Sequence, residues 1–245
     1  MLKSTLPLLV ACVLALSACS SGGTDKDDIP DLSQEALYDA AKALMSNGEF
    51  DRAKRYLEAL DTRYPFGELS DQIQLDLIYV YYKERDPDMT SAAINRYLRL
   101  NPTSQYIDYV KYMHGLCEMQ KRGDLIQDFL RMNRSQKDPE HYYTAIAIFK
   151  DLIETHPYST YVNDARQRII YMKEQLAERE LAIARYYFKR GAYLSSVRHC
   201  QSILYSYRDT SYIEAAMRLM QEGYEKLGLK EPAENMRRIN ELSFG

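Results

Sequence analysis

Three prolines, Pro65, Pro102 and Pro157, each close a run with the same apolar spacing, and this recurrence restricts the fold more than any other feature. Twelve residues before each proline stands a small side chain: Ala53, Thr90 and Ala145. Eight before stand Leu57, Ile94 and Phe149; five before stand Leu60, Tyr97 and Leu152. Arg208 marks the same place in a fourth run, preceded at those offsets by Ser196, Cys200 and Ile203. A residue and those four and seven later share one face of a helix. The small one lets a partner helix approach closely, and proline, lacking an N–H, stops the helix. Gly48 and Gly191 lie at one offset in the first and fourth runs, where a turn leads into each helix and glycine adopts positive φ freely. Such a chain repeats a helix pair.

The pattern resembles the tetratricopeptide repeat, a helix–turn–helix unit of 34 residues. That resemblance implies an all-α fold: a right-handed superhelical array of about five helix pairs, about ten helices, with each first helix on the concave surface. The predicted pairs are Gln34–Ser46 with Phe50–Tyr64, Ser70–Lys83 with Asp88–Leu100, and Gln105–Gln120 with Pro139–Thr155. Thr160–Lys189 holds neither glycine nor proline and reads as one long helix, paired with Tyr193–Tyr207. The last pair is Ser211–Leu227 with Glu231–Leu242, the final helix polar as befits the end of an array. The proline spacings are 37 and 55 residues, so the second holds an insertion, placed near residues 121–138 within the third pair. Leu125, Ile126, Phe129 and Leu130 suit a short helix inside it.

Residues 1–18 are a signal segment: Lys3 is followed by an apolar stretch, Leu6–Leu16, too short to span a bilayer comfortably. It runs into Leu16, Ser17, Ala18 and Cys19, which looks like a bacterial lipobox, against the alternative of an ordinary secreted protein with a chance cysteine. Processing of that kind implies a covalent lipid on Cys19, with several acyl chains giving stable anchoring. Ser20 at the next position favours the outer membrane over the inner one. Residues 19–31 are polar, glycine-containing and charged, a tether that reaches about 40 Å when fully extended. Residues 32–157 then carry repeats one to three, and 158–245 repeats four and five. Of the remaining cysteines, Cys117 and Cys200 read as two buried free thiols in preference to a disulfide.

Net charge is −3 and no basic block occurs, so nucleic acid is not an expected partner. No phosphate-cradling glycine motif, Ser-His-Asp order or H-E-x-x-H is present, and the reading is a scaffold, not an enzyme. His114 and Cys117 lie three apart on one helix, an allowed metal spacing with no second ligand pair, so no metal or other cofactor is expected. Tyrosine is abundant, 22 residues against no tryptophan, and suits helix contacts and groove linings. Tyr79, Tyr81, Tyr82, Tyr106, Tyr109 and Tyr112 fall on the first helices of pairs two and three. Asp76 lies within the apolar run that ends in Tyr82; an unpaired buried carboxylate is expensive. It therefore either rims a groove or is paired, with Arg96 and Lys111 the expected partners.

Several segments together resemble the BamD family, lipoprotein subunits of the outer-membrane β-barrel assembly machinery. They are the lipobox at Cys19, LEALDTRYPFG at Leu57–Gly67, QLDLIYVYYK at Gln74–Lys83 and INRYLRLNPT at Ile94–Thr103. IDYVKYMHGL at Ile107–Leu116, KDPEHYYTAIAIFKDLIETHPYS at Lys137–Ser159 and KRGAY at Lys189–Tyr193 add to them. The resemblance implies an outer-membrane lipoprotein facing the periplasm that binds the POTRA domains of BamA and works beside other lipoproteins such as BamC and BamE. It also implies binding of unfolded outer-membrane proteins through a C-terminal signal that ends in an aromatic residue. The candidates for that groove are Tyr64, Phe66, Asp76, Tyr79, Tyr82, Arg96 and Tyr109. For the BamA contact they are Arg185, Arg190, Tyr193 and Arg198. The alternative function is a pilotin-like repeat lipoprotein escorting a secretin, which would lack the YPFG and LDLIY segments and the insertion.

Overall fold

The repeating apolar face becomes a repeating helix pair. The structure is a computed structural model that describes residues 29–121 and 139–244. Cys19, the signal segment, most of the tether and the insertion after Lys121 lie outside the described residues. Among those described there are ten helices and no strand: α1 (Gln34–Ser46), α2 (Phe50–Arg63), α3 (Ser70–Lys83), α4 (Pro87–Leu100) and α5 (Ile107–Lys121). They continue as α6 (Glu140–Thr155), α7 (Val162–Lys189), α8 (Tyr193–Ser206), α9 (Ile213–Lys226) and α10 (Lys230–Phe244). Each packs mainly on its neighbours in the chain, and the 28-residue α7 packs on both α6 and α8, joining the third pair to the fourth.

All twelve side chains at the three repeating offsets, from Ala53, Leu57 and Leu60 to Ser196, Cys200 and Ile203, are 0% exposed. Their helices also end alike. The residues before Pro65, Pro102, Pro157 and Arg208 have φ between −127° and −134°, outside the helical region. Each donates its N–H to the carbonyl of Leu60, Tyr97, Leu152 or Ile203. Proline disfavours helical backbone in the residue before it, yet Tyr207 precedes arginine and takes the same form, so packing holds the fourth stop without it.

The first helices of the third, fourth and fifth pairs begin slightly later than their apolar patterns suggest, and one device explains this. Ser104 accepts the Tyr106 N–H and Ser159 the Tyr161 N–H, while Thr210 donates to the Tyr207 carbonyl. These local side-chain bonds compete with the first helical turn and move the starts to Ile107, Val162 and Ile213. The turns inside the pairs also match: Gly48, Gly191 and Gly228 have φ of +78°, +74° and +73°. In the second pair the same offset is occupied by Arg85, at φ +59°.

α3 is apolar on nearly every side because it serves two cores. Ile73, Leu77, Val80 and Tyr81 pack with Leu37, Ala53, Leu57 and Leu60 of the first pair. Leu75 and Ile78 pack into the larger core that runs from Ile94 and Tyr97 to Met220. Cys117 and Cys200 are buried free thiols on α5 and α8.

Candidate functional site

With their apolar faces committed to the core, the first helices α1, α3, α5 and α7 carry a strip of tyrosines and charges. Asp76, Tyr79 and Lys83 are three and four residues apart on α3, on one face. The Asp76 side chain is 14% exposed. It accepts a hydrogen bond from the Tyr38 hydroxyl of α1 at 2.7 Å, and the Lys42 ammonium lies 3.0 Å from each of its oxygens. Burial and this carboxylate push the Tyr38 phenol well above its ordinary pKa. The expected partners of Asp76 are engaged elsewhere, which corrects the sequence reading. Arg96 makes a two-point ion pair with Asp61 of α2, and Lys111 pairs with Asp151 and Thr155 of α6. The reason is the layering of the array: Arg96 is on a second helix and meets the neighbouring second helix, while Lys111 turns to the partner helix of its own pair.

Beyond Asp76 the strip continues in both directions. The Tyr79 ring meets Phe50 edge-on at 6.0 Å, and the Lys83 ammonium lies 5.1 Å and 5.9 Å from the centres of those two rings. On α5, burial raises the Tyr109 pKa, helped by the nearby charge of Asp76, Tyr161 and Tyr79. Tyr112 stacks on Tyr161 with centroids 4.7 Å apart and donates to Asp164 of α7 at 2.6 Å. Arg168 pairs with the same carboxylate and lies over the Tyr112 ring. Burial also raises the Tyr82 phenol, opposed by Arg168 and Arg85. The strip offers aromatic surfaces with charged rims, the form of site that grips an extended chain. It holds no aligned nucleophile and base, and among the described residues no three of His, Cys, Asp and Glu cluster as metal ligands.

Of the residues the sequence nominates for a groove, Asp76, Tyr79, Tyr82 and Tyr109 come together in this strip. Three others do not join it. Tyr64 packs against the core of the first pair. Phe66 stands 96% exposed on the turn after α2, as Tyr158 does at 99% on the turn after α6. Arg96 belongs to a cleft between α2, α3 and α4 with Glu58, Asp61 and Tyr81. Tyr112, one of the first-helix tyrosines read from the sequence, also joins the strip, and Tyr38, Lys42, Tyr161, Asp164 and Arg168 complete it and were missed. Only the Asp164–Arg168 pair carries a local signal, the i,i+4 spacing; the stacking of Tyr112 on Tyr161 depends on α5 and α7 meeting in space.

At the other end, Arg185, Arg190 and Arg198 are exposed, and Tyr193 is half-buried. Arg190 donates to the Tyr186 hydroxyl at 2.6 Å with its guanidinium over that ring, and Tyr193 meets Phe188 edge-on at 5.2 Å. Tyr186 and Leu194 are exposed beside them. Tyrosine, arginine and leucine in one patch form a surface suited to a protein partner.

A family model described as "YfiO: Outer membrane lipoprotein" matches residues 30–239. The chain belongs to this family. The match runs from just before α1 into α10, so the YfiO family and the helix array cover the same residues. Among its relatives is the Vibrio cholerae protein named outer membrane protein assembly factor BamD, 37% identical over 231 residues, 94% of this chain and 96% of that protein. The protein of the same name from Neisseria meningitidis serogroup A is 35% identical over 240 residues, covering 97% and 90%. That from Pasteurella multocida is 36% identical over 231 residues, covering 94% and 87%.

Proposed function

We propose that this chain is a lipid-anchored scaffold of outer-membrane protein assembly that holds unfolded clients and performs no chemistry. Lipid on Cys19 anchors it to the outer membrane and residues 20–31 stand the array off the bilayer on the periplasmic side. No helix among the described residues is long and apolar enough to cross a membrane. The observation that carries the client reading is the strip on α1, α3, α5 and α7, from Tyr38 and Asp76 through Tyr79 and Tyr109 to Tyr112 and Tyr161. An extended segment with aromatic side chains fits such a surface, and relatives at 35–37% identity are named as assembly factors. The exposed patch with Arg185, Arg190, Tyr193 and Arg198 is assigned to the POTRA domains of BamA, with lipoproteins such as BamC and BamE as further partners.

The test is affinity capture from detergent-solubilised envelopes together with a titration of a labelled peptide ending in phenylalanine. The expected result is recovery of BamA, reduced by Arg185→Glu with Arg198→Glu, and peptide binding weakened by Tyr79→Ala or Tyr109→Ala. Recovery of a secretin without BamA would refute the assignment. Replacing Cys19 by serine should weaken membrane retention, most clearly when the BamA-facing arginines are also replaced.

A further inference from the structure

In the first three pairs the connections fall on two edges. Antiparallel packing puts the turns after α2, α4 and α6 on the edge where α1 begins, and the turns inside the pairs on the other. The first edge exposes large apolar side chains from four separate segments: Leu32 just before α1, Phe66, Leu100 at the end of α4, and Tyr158. On the second, the turns inside the first two pairs expose Asn47, Lys83, Arg85 and Asp86, with Met89 the large apolar side chain exposed beside them. A single exposed apolar residue is ordinary, whereas four gathered on one edge mark a surface that meets something. Both rings stand on fixed turns. Phe66 and Tyr158 each follow the proline of their repeat, and the two turns close in the same way. Gly67 and Ser159 donate their N–H groups to the Tyr64 and His156 carbonyls, and Ser70 and Val162 donate to the Gly67 and Ser159 carbonyls. Between them the turn after α4 borders a cleft of about 520 Å³ with Leu98, Pro102 and Ile107 in its lining, so apolar surface continues from one ring toward the other.

The course of the chain decides what lies opposite this edge. Ile29 packs on the core of the first pair, and the Gln34 side chain lies over Gly67 so closely that a Cβ there would sit 2.7 Å from it. The Phe66 turn is therefore beside the place where the chain leaves the array toward Cys19. Ten residues separate Cys19 from Ile29, a reach of at most about 35 Å. A lipid on Cys19 holds this edge within that distance of the bilayer, while the opposite edge stands a further α1 length away, about 20 Å. Flanking Leu32, Phe66 and Leu100, the exposed Asp31 and Glu68 offset the exposed Arg63 and Arg99, so attraction to this edge does not depend on anionic lipid. Aromatic rings with polar neighbours suit the interfacial layer of a bilayer. We propose that the edge formed by the turns after α2, α4 and α6 rests on the membrane surface, with Phe66 and Tyr158 inserted among the lipid headgroups as a second, non-covalent attachment. The assignment rests on the lipid at Cys19 and gives the array an orientation: this edge toward the bilayer, the turns at Gly48 and Arg85 away from it.

The chain has no tryptophan, so one substitution makes a single reporter. The mature lipidated chain carrying Phe66→Trp, Tyr158→Trp or Asn47→Trp is reconstituted into phosphatidylcholine vesicles with plain or brominated acyl chains and floated on a density gradient. All three positions are exposed, so each variant should keep the wild-type Tm. All three should float. Emission from Phe66→Trp and Tyr158→Trp should lie at shorter wavelength than in the matching Cys19→Ser chains free in buffer, and brominated lipid should remove most of it. Asn47→Trp should keep its wavelength and intensity, and adding phosphatidylglycerol should change none of these results. Flotation without quenching at 66 and 158 overturns the edge contact and leaves the lipid anchor standing. Quenching at 66 alone reduces the contact to the corner beside the tether and overturns the edge as the surface, and equal quenching at 47 overturns the orientation. Failure to float removes the anchor and the edge together. Absence of quenching in vesicles, joined to shielding of 66 and 158 from acrylamide in the complex captured from envelopes, makes the edge a protein contact and overturns the proposal.

Discussion

Replacing Asp76 by alanine tests whether this carboxylate is a structural clasp. The Tyr38 hydroxyl, 2.7 Å away, donates to a charged acceptor in a half-buried setting, an interaction worth about 2 kcal/mol. The Lys42 ion pair contributes less, about 0.5 kcal/mol, because the lysine side chain is 46% exposed and water screens it. Alanine removes both and leaves the tyrosine hydroxyl to find water, so the expected loss is about 2 kcal/mol. For an array of this length that lowers Tm by roughly 4–8 °C. Asparagine keeps an acceptor for Tyr38 and should lose about 1 kcal/mol. Urea denaturation of wild type, Asp76→Ala, Tyr38→Phe and the double variant isolates the pair, with a coupling of at least about 1 kcal/mol expected. A loss for Asp76→Ala below about 0.5 kcal/mol, or independent effects of the two substitutions, would refute the clasp.

Other substitutions probe the cores and the thiols. A Cβ at position 115 would overlap the Phe149 ring, so Gly115→Ala should destabilise by about 1–3 kcal/mol in urea titrations, and Gly115→Ala with Phe149→Leu should recover part of it. Burial would raise the Glu118 pKa, but Lys121 and His141 outweigh it and hold the carboxyl below its ordinary value of 4.5. Its stabilisation is therefore present above pH 4.5 and is lost as pH falls through the lower folded value. Glu118→Gln should lower the urea midpoint at pH 7 and flatten its decline on the acid side. Burial pushes the Cys200 thiol up to about 12, so iodoacetamide at pH 8 should modify it only after unfolding; labelling of the native chain at the rate of a free thiol would contradict its place in the core.

The strip and the core meet in α3. Its apolar residues on both flanks hold the first pair to the rest of the array, while Asp76 meets Tyr38 and Lys42 of α1, and Tyr79 and Lys83 meet Phe50 at the start of α2. A client that binds there contacts the helix that joins the two cores, so binding should protect α3 amides from hydrogen exchange more than those of α9 or α10.

Helix positions and pair register were legible in the residues, because each follows from spacing within one helix. Ala53, Thr90, Ala145 and Ser196 announce the close crossings by size alone, and the turn after each second helix follows from the proline or from the same register. The small errors at helix starts came from Ser104, Ser159 and Thr210, whose side chains take bonds the backbone pattern does not reveal. What only the tertiary structure decided is which charged and aromatic groups face one another. Asp76 meets residues 34 and 38 positions earlier, and Tyr112 pairs with a carboxylate 52 positions later across the insertion. Spacing along a helix says which face a side chain takes, but its partner across the array depends on how each pair is rotated and shifted against the next. Those small rotations accumulate from core packing, which is why Arg96 turned to Asp61 and left Asp76 to Tyr38 and Lys42.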